Sequence, residues 1–290
     1  MKTKIEDLPS GKQDELKKIV AIIREHGRAE MVVLFGSYAR GTAVEDRYVC
    51  PEDGITYEYR SDFDILVVTR SKIGAKSGVW QKIENLITRD PAIKTPVSMI
   101  VHDIRELNNQ LSTGEYFFTD VVKDGILLYD SGKHVLEQPK ELSSQKRAEI
   151  ALKDYEYWFE SAEDFLDLFK YAASKEKLNK AAFLLNQTIE HALVCTLLVF
   201  THYKPKLHDL NKLINMAADQ DHRLATIFPV NGGEEKRRFD LVNNAYVHAR
   251  YTRSYSISED DLKYLFARTE KLMALTKDVC SEHIKRLSGG

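Results

Sequence analysis

"LFGSYARG" (residues 34–41) closes the apolar run "EMVVLF" (30–35), and "SDFDILVV" (61–68) follows after a polar interval. A buried strand that stops on Gly36 and Ser37 and enters a short helix leaves backbone amides free at the bend. Glycine lets a phosphate come close to that backbone, and a helix start favours negative charge. The Ser37 hydroxyl adds a hydrogen-bonding group, and Arg40, one turn on, can reach a phosphate or brace neighbouring carboxylates. The same residues also fit a plain turn with a helix cap. The second segment bears on that choice. Asp62 and Asp64 stand two apart at the start of a β-branched strand. A period of two points both carboxylates to one face and Phe63 to the other. Such a pair repels itself unless a cation lies between. Mg²⁺ suits that place, because it prefers oxygen and commonly takes one or two carboxylates plus substrate phosphates. Alone, Asp-x-Asp also fits a solvated strand end. The two segments together are the combination that matters, an anion site beside a place for a metal ion.

Around this pair the chain alternates helix and strand patterns, which predicts an α/β domain over about 1–135. Leu16, Ile19, Val20 and Ile23 give helical spacing over 11–26. Residues 78–89 read as a helix, "TPVSMIVH" (95–102) as a third strand, and 103–112 as a helix capped by Asp103. Between Gly41 and Ser61, "RYVCPEDGITYEYR" reads as two strand-like runs around Pro-Glu-Asp-Gly, an inserted β-ribbon over about 44–60. The stretch 130–145 is polar, with Gly and Pro, and suits a linker, placed at 136–145. From 146 to 290 the pattern is helical: about 145–173, 177–202, 208–218, 234–250 and 258–286. An all-α antiparallel helical bundle accommodates it.

The 290 residues carry 42 Lys and Arg against 44 Asp and Glu, a net charge of −2. The first 135 residues hold 19 basic and 21 acidic groups, leaving 23 of each in the rest. Neither half has the basic excess of a broad nucleic-acid surface. No apolar run approaches the roughly 18 residues of a membrane span. The N-terminus lacks the apolar core of a secretory signal. Three widely spaced cysteines, Cys50, Cys195 and Cys280, suit a reducing cytoplasm and match no disulfide or zinc framework.

The combination of "GSYARG" and "SDFD", flanked by "VVLF" and "ILVV", resembles the nucleotidyltransferases of the polymerase-beta type, and among them the minimal nucleotidyltransferases, over roughly residues 15–130. The resemblance implies that Gly36 and Ser37, with Arg40 nearby, hold a nucleoside triphosphate and that Asp62 and Asp64 are the catalytic, Mg²⁺-binding carboxylates. It implies transfer of a nucleoside monophosphate onto a hydroxyl, with pyrophosphate leaving. The chain departs from the family at one point. A third carboxylate is expected on the later strand, and Ser98 stands where it would fall. Asp103 lies beyond that strand and is expected to cap a helix. Glu52, Asp53 and Glu58 of the ribbon are further candidates for the missing acid.

The helical half resembles the HEPN family through "AAFLLNQTIEHAL" (181–193), "KPKLHDLNKL" (204–213) and "NNAYVHARYTRSYSI" (243–257). Many relatives are ribonucleases with Arg-x4–6-His. Arg238 to His248 is too wide for that motif, and Arg250 and Arg253 have no histidine downstream at that spacing. What remains is an anion-site candidate at a helix end: His248, Arg250, Arg253 and Tyr255. A charged helix end explains those residues as well. His191 is expected to be a paired core histidine. His208 and Asp209 are expected at a helix start. Tyr155, Tyr157, Trp158 and Phe159 are expected in the bundle core, and "KRR" (236–238) on a solvated face.

The expected activity is Mg²⁺-dependent transfer of a nucleoside monophosphate from a triphosphate to a hydroxyl of a small molecule, as in antibiotic-modifying relatives, or of a protein. One alternative is a nucleotide-binding sensor of little or no turnover. Another is a fused toxin–antitoxin-like module with a degenerate ribonuclease site. The HEPN resemblance also implies a homodimer.

Overall fold

The computed structural model describes the chain except residues 3–4, 44, 50–55, 76–77, 229–232 and 290, and leaves out the side chains of 45–49 and 56–60. Two compact units emerge, Met1–Glu45 with Arg60–Leu142, and Asp46–Tyr59 with Ser143–Gly290.

The first unit is built on a four-stranded sheet. Its strands are β1 (Ala29–Phe35), β4 (Phe63–Thr69), β5 (Val97–Asp103) and β6 (Ile126–Asp130), in the order β5-β4-β1-β6. The helices are α1 (Ser10–His26), α2 (Gly36–Arg40), α3 (Lys72–Ala75), α4 (Val79–Arg89), α5 (Ile104–Thr113) and α6 (Tyr116–Asp124). β1 runs antiparallel to both neighbours, β4 and β6, while β4 and β5 are parallel. Burial on both faces explains the nearly unbroken apolar sequences of β1 and β4. Val32, Leu34, Phe63, Ile65 and Val67 face the apolar stripes of α1 (Leu16, Ile19, Ile23) and α4 (Trp80, Ile83, Ile87). Phe35 meets Phe117 of α6 edge to face at 5.6 Å, and His102 meets Phe118 at 5.0 Å.

β2 (Glu45–Val49) and β3 (Thr56–Arg60) pair as a separate two-stranded sheet, the ribbon expected from the Pro-Glu-Asp-Gly signal. The second unit is otherwise helical, with α7 (Ser144–Ser174), α8 (Leu178–Thr201), α9 (Leu210–Ala218), a 3-10 turn (His222–Thr226), α10 (Gly233–Tyr251) and α11 (Glu259–Leu287). α8 is its axis, contacting α7, α9, α10 and α11. α8 is also long and apolar enough to cross a membrane, and 78% of its apolar window is buried in the protein. Buried alanines (Ala181, Ala182, Ala192) let neighbouring helices approach it closely.

Several caps match the sequence. Asp103 accepts from the amides of Arg105 and Glu106 at the start of α5, and Asp209 accepts from Asn211 at the start of α9. Ser258 and Asp261 form a reciprocal capping box on α11. Two expectations need correction. Tyr157 is 66% exposed, because it falls on the outer side of α7 while Phe159 turns inward. Arg237 and Arg238 are not simply solvated, because both pair with the buried Asp261.

Candidate functional site

β1 delivers the chain to Gly36, which has φ of +71°, a left-handed conformation that glycine adopts without strain. Antiparallel pairing sets Phe35 opposite Asp64, so the bend at Gly36 lies against the start of β4. A Cβ on Gly36 would collide with the Asp64 carboxylate. Gly36 is therefore required twice, for its dihedral angle and for the space that the carboxylate fills. α2 is only five residues long, so a developed helix dipole contributes little at the bend. Gly41 ends it in the left-handed conformation, and the Thr42 amide donates to the Ser37 carbonyl at 2.9 Å.

Asp62 and Asp64 are 6% and 4% exposed, and each offers a carboxylate oxygen within 4.8 Å of the other. Phe63 between them is fully buried, its ring 4.6 Å from that of Tyr38. The strand period thus sorts this stretch as expected, acids to one face and aromatic ring to the other. Ser37 is 5% exposed, and its hydroxyl has no hydrogen-bond partner among the described residues. A buried, unsatisfied hydroxyl next to a bend that packs on the Asp64 carboxylate is costly. An oxygen-rich ligand would relieve it. The two carboxylates offer hard oxygen ligands of the kind that Mg²⁺ prefers. Arg40, the last residue of α2, is exposed.

Parallel pairing places Ser98 of β5 in register with Asp64. Adjacent residues in register share a face, so the site's third strand presents a hydroxyl where an acid was expected. Asp103 pairs with Thr69, five residues further along, or roughly 16 Å at strand rise. Its carboxylate is used as the α5 cap. Glu52 and Asp53 lie outside the described residues, as does the side chain of Glu58.

In the helical unit the anion-site candidates hold separate local partners. The Tyr255 hydroxyl donates to the Leu241 carbonyl at 3.0 Å, and burial, with Asp261 nearby, pushes its ionisation well above the usual phenol range. His248 Nδ1 meets the Thr252 hydroxyl at 2.9 Å. Arg250 donates from Nε to the Tyr246 carbonyl, with its guanidinium 4.3 Å from the Tyr246 ring centroid and 4.9 Å from that of Phe183. Arg253 is exposed beyond the end of α10.

A different cluster escaped the sequence. His208 Nδ1 contacts the buried Glu190 at 2.9 Å, and its ring stacks on Tyr246 at 4.2 Å. No local pattern links these residues, because they come from α8, α10 and the approach to α9. His191 is a partnered core histidine, with Nδ1 3.0 Å from Ser161 Oγ and its ring between Trp158 and Phe165. Burial, with Lys204 nearby, lowers its pKa to about 4.

Residues 155–279, which run from within α7 into α11, match the HEPN domain. Among solved structures, a nucleotidyltransferase-like protein from Exiguobacterium sibiricum 255-15 is similar at 11% identity, covering 94% of this chain and 78% of that one. The TM-score is 0.28, a superposition too loose to carry an argument. No curated protein matches the chain.

Proposed function

We propose that the first unit is a nucleotidyltransferase, transferring a nucleoside monophosphate from a triphosphate to a hydroxyl acceptor. The observation that carries this reading is the closure of the Gly36–Ser37 bend onto Asp64, with the Ser37 hydroxyl buried and without a partner among the described residues. The Asp64 carboxylate takes the space beside Gly36, so phosphate oxygens would be held by the backbone amides of the bend, and Ser37 Oγ would donate a further hydrogen bond. Asp62 and Asp64 would hold Mg²⁺, which when bound neutralises charge on phosphate and on the attacking and leaving oxygens. In the reaction the acceptor oxygen attacks the α-phosphorus, the bond to the bridging oxygen breaks, and pyrophosphate departs with that electron pair. The acceptor's proton must pass to a base. Small molecules and protein side chains are both suitable acceptor classes.

Ser98 favours a second reading, a nucleotide-binding sensor. A serine in register with Asp64 is a poor base and a weak Mg²⁺ ligand, so binding without turnover follows if no other acid serves.

The test is pyrophosphate release from ATP, GTP, CTP and UTP with Mg²⁺, against Asp64→Asn. Release that disappears in the variant supports transfer. Asp64-dependent binding without release supports the sensor. If neither binding nor release depends on Asp64, both readings are wrong.

A further inference from the structure

The parts of the site come from segments far apart in sequence: the 36–38 bend, the start of β4 and the lead into β5. One side chain from α1 reaches all three. Lys12 Nζ donates to Thr95 Oγ1 at 2.6 Å, and lies 5.5 Å from the Tyr38 ring centroid and 5.9 Å from that of Phe63. Tyr38 follows Ser37 directly, Phe63 separates the two aspartates, and Thr95 stands three residues before Ser98. One turn along α1, Glu15 is 9% exposed, and its Oε2 accepts from the amides of Lys94 at 2.9 Å and Thr95 at 2.8 Å. The next carbonyl, of Pro96, accepts from the Phe63 amide at 2.8 Å.

The connection is continuous. Glu15 fixes the 94–95 backbone. That backbone presents the Pro96 carbonyl, and the Pro96 carbonyl fixes Phe63 between Asp62 and Asp64. Lys12 adds a charge-assisted bond to the same turn and an ammonium near both aromatic rings. A side chain needed only for α1 solubility would point outward from the helix. Lys12 instead turns inward, toward the back of the two residues whose neighbours form the site.

We infer that Lys12 and Glu15 are positioning residues that hold the Gly36–Ser37 bend and the Asp62–Asp64 pair in the spacing needed for a metal–triphosphate ligand. This deepens the nucleotidyltransferase reading and rests on it. Neither residue touches the ligand. They act through Tyr38, Phe63 and the 94–96 turn.

The test uses the full chain as wild type, Lys12→Met, Lys12→Arg and Asp64→Asn. Mn²⁺ stands in for Mg²⁺, and its binding with ATP is followed by the electron paramagnetic resonance of the free ion. Lys12→Met is expected to weaken Mn²⁺–ATP binding about tenfold, and Lys12→Arg to stay within about twofold of wild type, because the cation and its hydrogen bond are kept. Lys12→Met binding like wild type, or Lys12→Arg falling as far as Lys12→Met, overturns the inference. Amide hydrogen exchange gives a readout independent of nucleotide. The Phe63 amide should exchange about tenfold faster in Lys12→Met while Val33 on β1 is unchanged. If wild type and Asp64→Asn show the same Mn²⁺ behaviour, the nucleotidyltransferase reading fails, and exchange alone then judges the brace. An unchanged Phe63 amide overturns it, and selective loss of protection supports it.

Discussion

Gly36 and Asp64 share one small space: the carboxylate of Asp64 fills the position that a side chain on residue 36 would need. The backbone bend and the acid are thus mutually exclusive with any larger residue at 36. Gly36→Ala adds a methyl group at a φ of +71° and drives it into the carboxylate. The strain costs about 1–3 kcal/mol, and the acid must move. Loss of Mg²⁺–triphosphate binding in calorimetry, with a lowered melting temperature and retained circular dichroism, is the expected result. Wild-type affinity in Gly36→Ala would show that the ligand does not need this contact.

Ser98 offers a gain-of-function experiment. It is half-buried and in register with Asp64, so Ser98→Asp puts a third carboxylate beside the pair. If the chain lacks only a base, pyrophosphate release should rise by about tenfold or more. Without metal, a third like charge should lower the melting temperature, and added Mg²⁺ should restore it. A variant with unchanged release and no Mg²⁺-dependent stabilisation would place the acid–base chemistry elsewhere.

His191 gives the helical unit a pH dependence of definite sign. Burial lowers its pKa to about 4 in the folded chain, against about 6.5 when unfolded. The unfolded chain therefore binds the proton first. His191 favours the fold fully above about pH 6.5, and that contribution fades as pH falls toward 4. His283, also lowered to about 4 by burial and by Arg286 and Arg147, acts in the same direction. The drop in melting temperature between pH 7 and pH 5 should be smaller in His191→Gln than in wild type. An equal drop would mean that His191 titrates normally.

Asp261 concentrates several roles in one carboxylate. It completes the capping box with Ser258 and pairs with Arg237 and Arg238. Burial alone would raise its pKa, but hydrogen bonds from Ser258 and Arg237 hold it below the usual range. Asp261→Asn keeps the shape and removes the charge, leaving two arginines facing a neutral amide. A loss of about 2–4 kcal/mol in denaturant unfolding is expected. A loss under about 0.5 kcal/mol would show the arginines to be fully solvated in the variant.

The legible parts of this chain were those with local causes. Alternating Asp62, Phe63 and Asp64 announced their faces, and Asp103 announced its helix. Residues 116–130 gave no such signal. Tyr116, Phe117, Phe118, Val121 and Val122 suit a strand by type, yet α6 forms there, because Phe117 and Phe118 fill the sheet face beside Phe35 and His102. β6 was missed with it, since its partner β1 lies some ninety residues earlier. The Lys12–Thr95 bond and the Glu190–His208 pair join distant segments in the same way. Such pairs are products of tertiary packing, and neither residue's own neighbours in sequence foretell them.

The alternation of Asp62, Phe63 and Asp64 at the head of β4 also constrains how this chain can change. Sliding β4 by a single residue against β1 would turn both acids toward Leu34 and the α1 side chains, and carry Phe63 to the face that the acids now occupy. Misalignment and inactivation would then be one event. Mutations in this strand should accordingly divide into those that leave the protein whole and those that abolish it, with few graded intermediates.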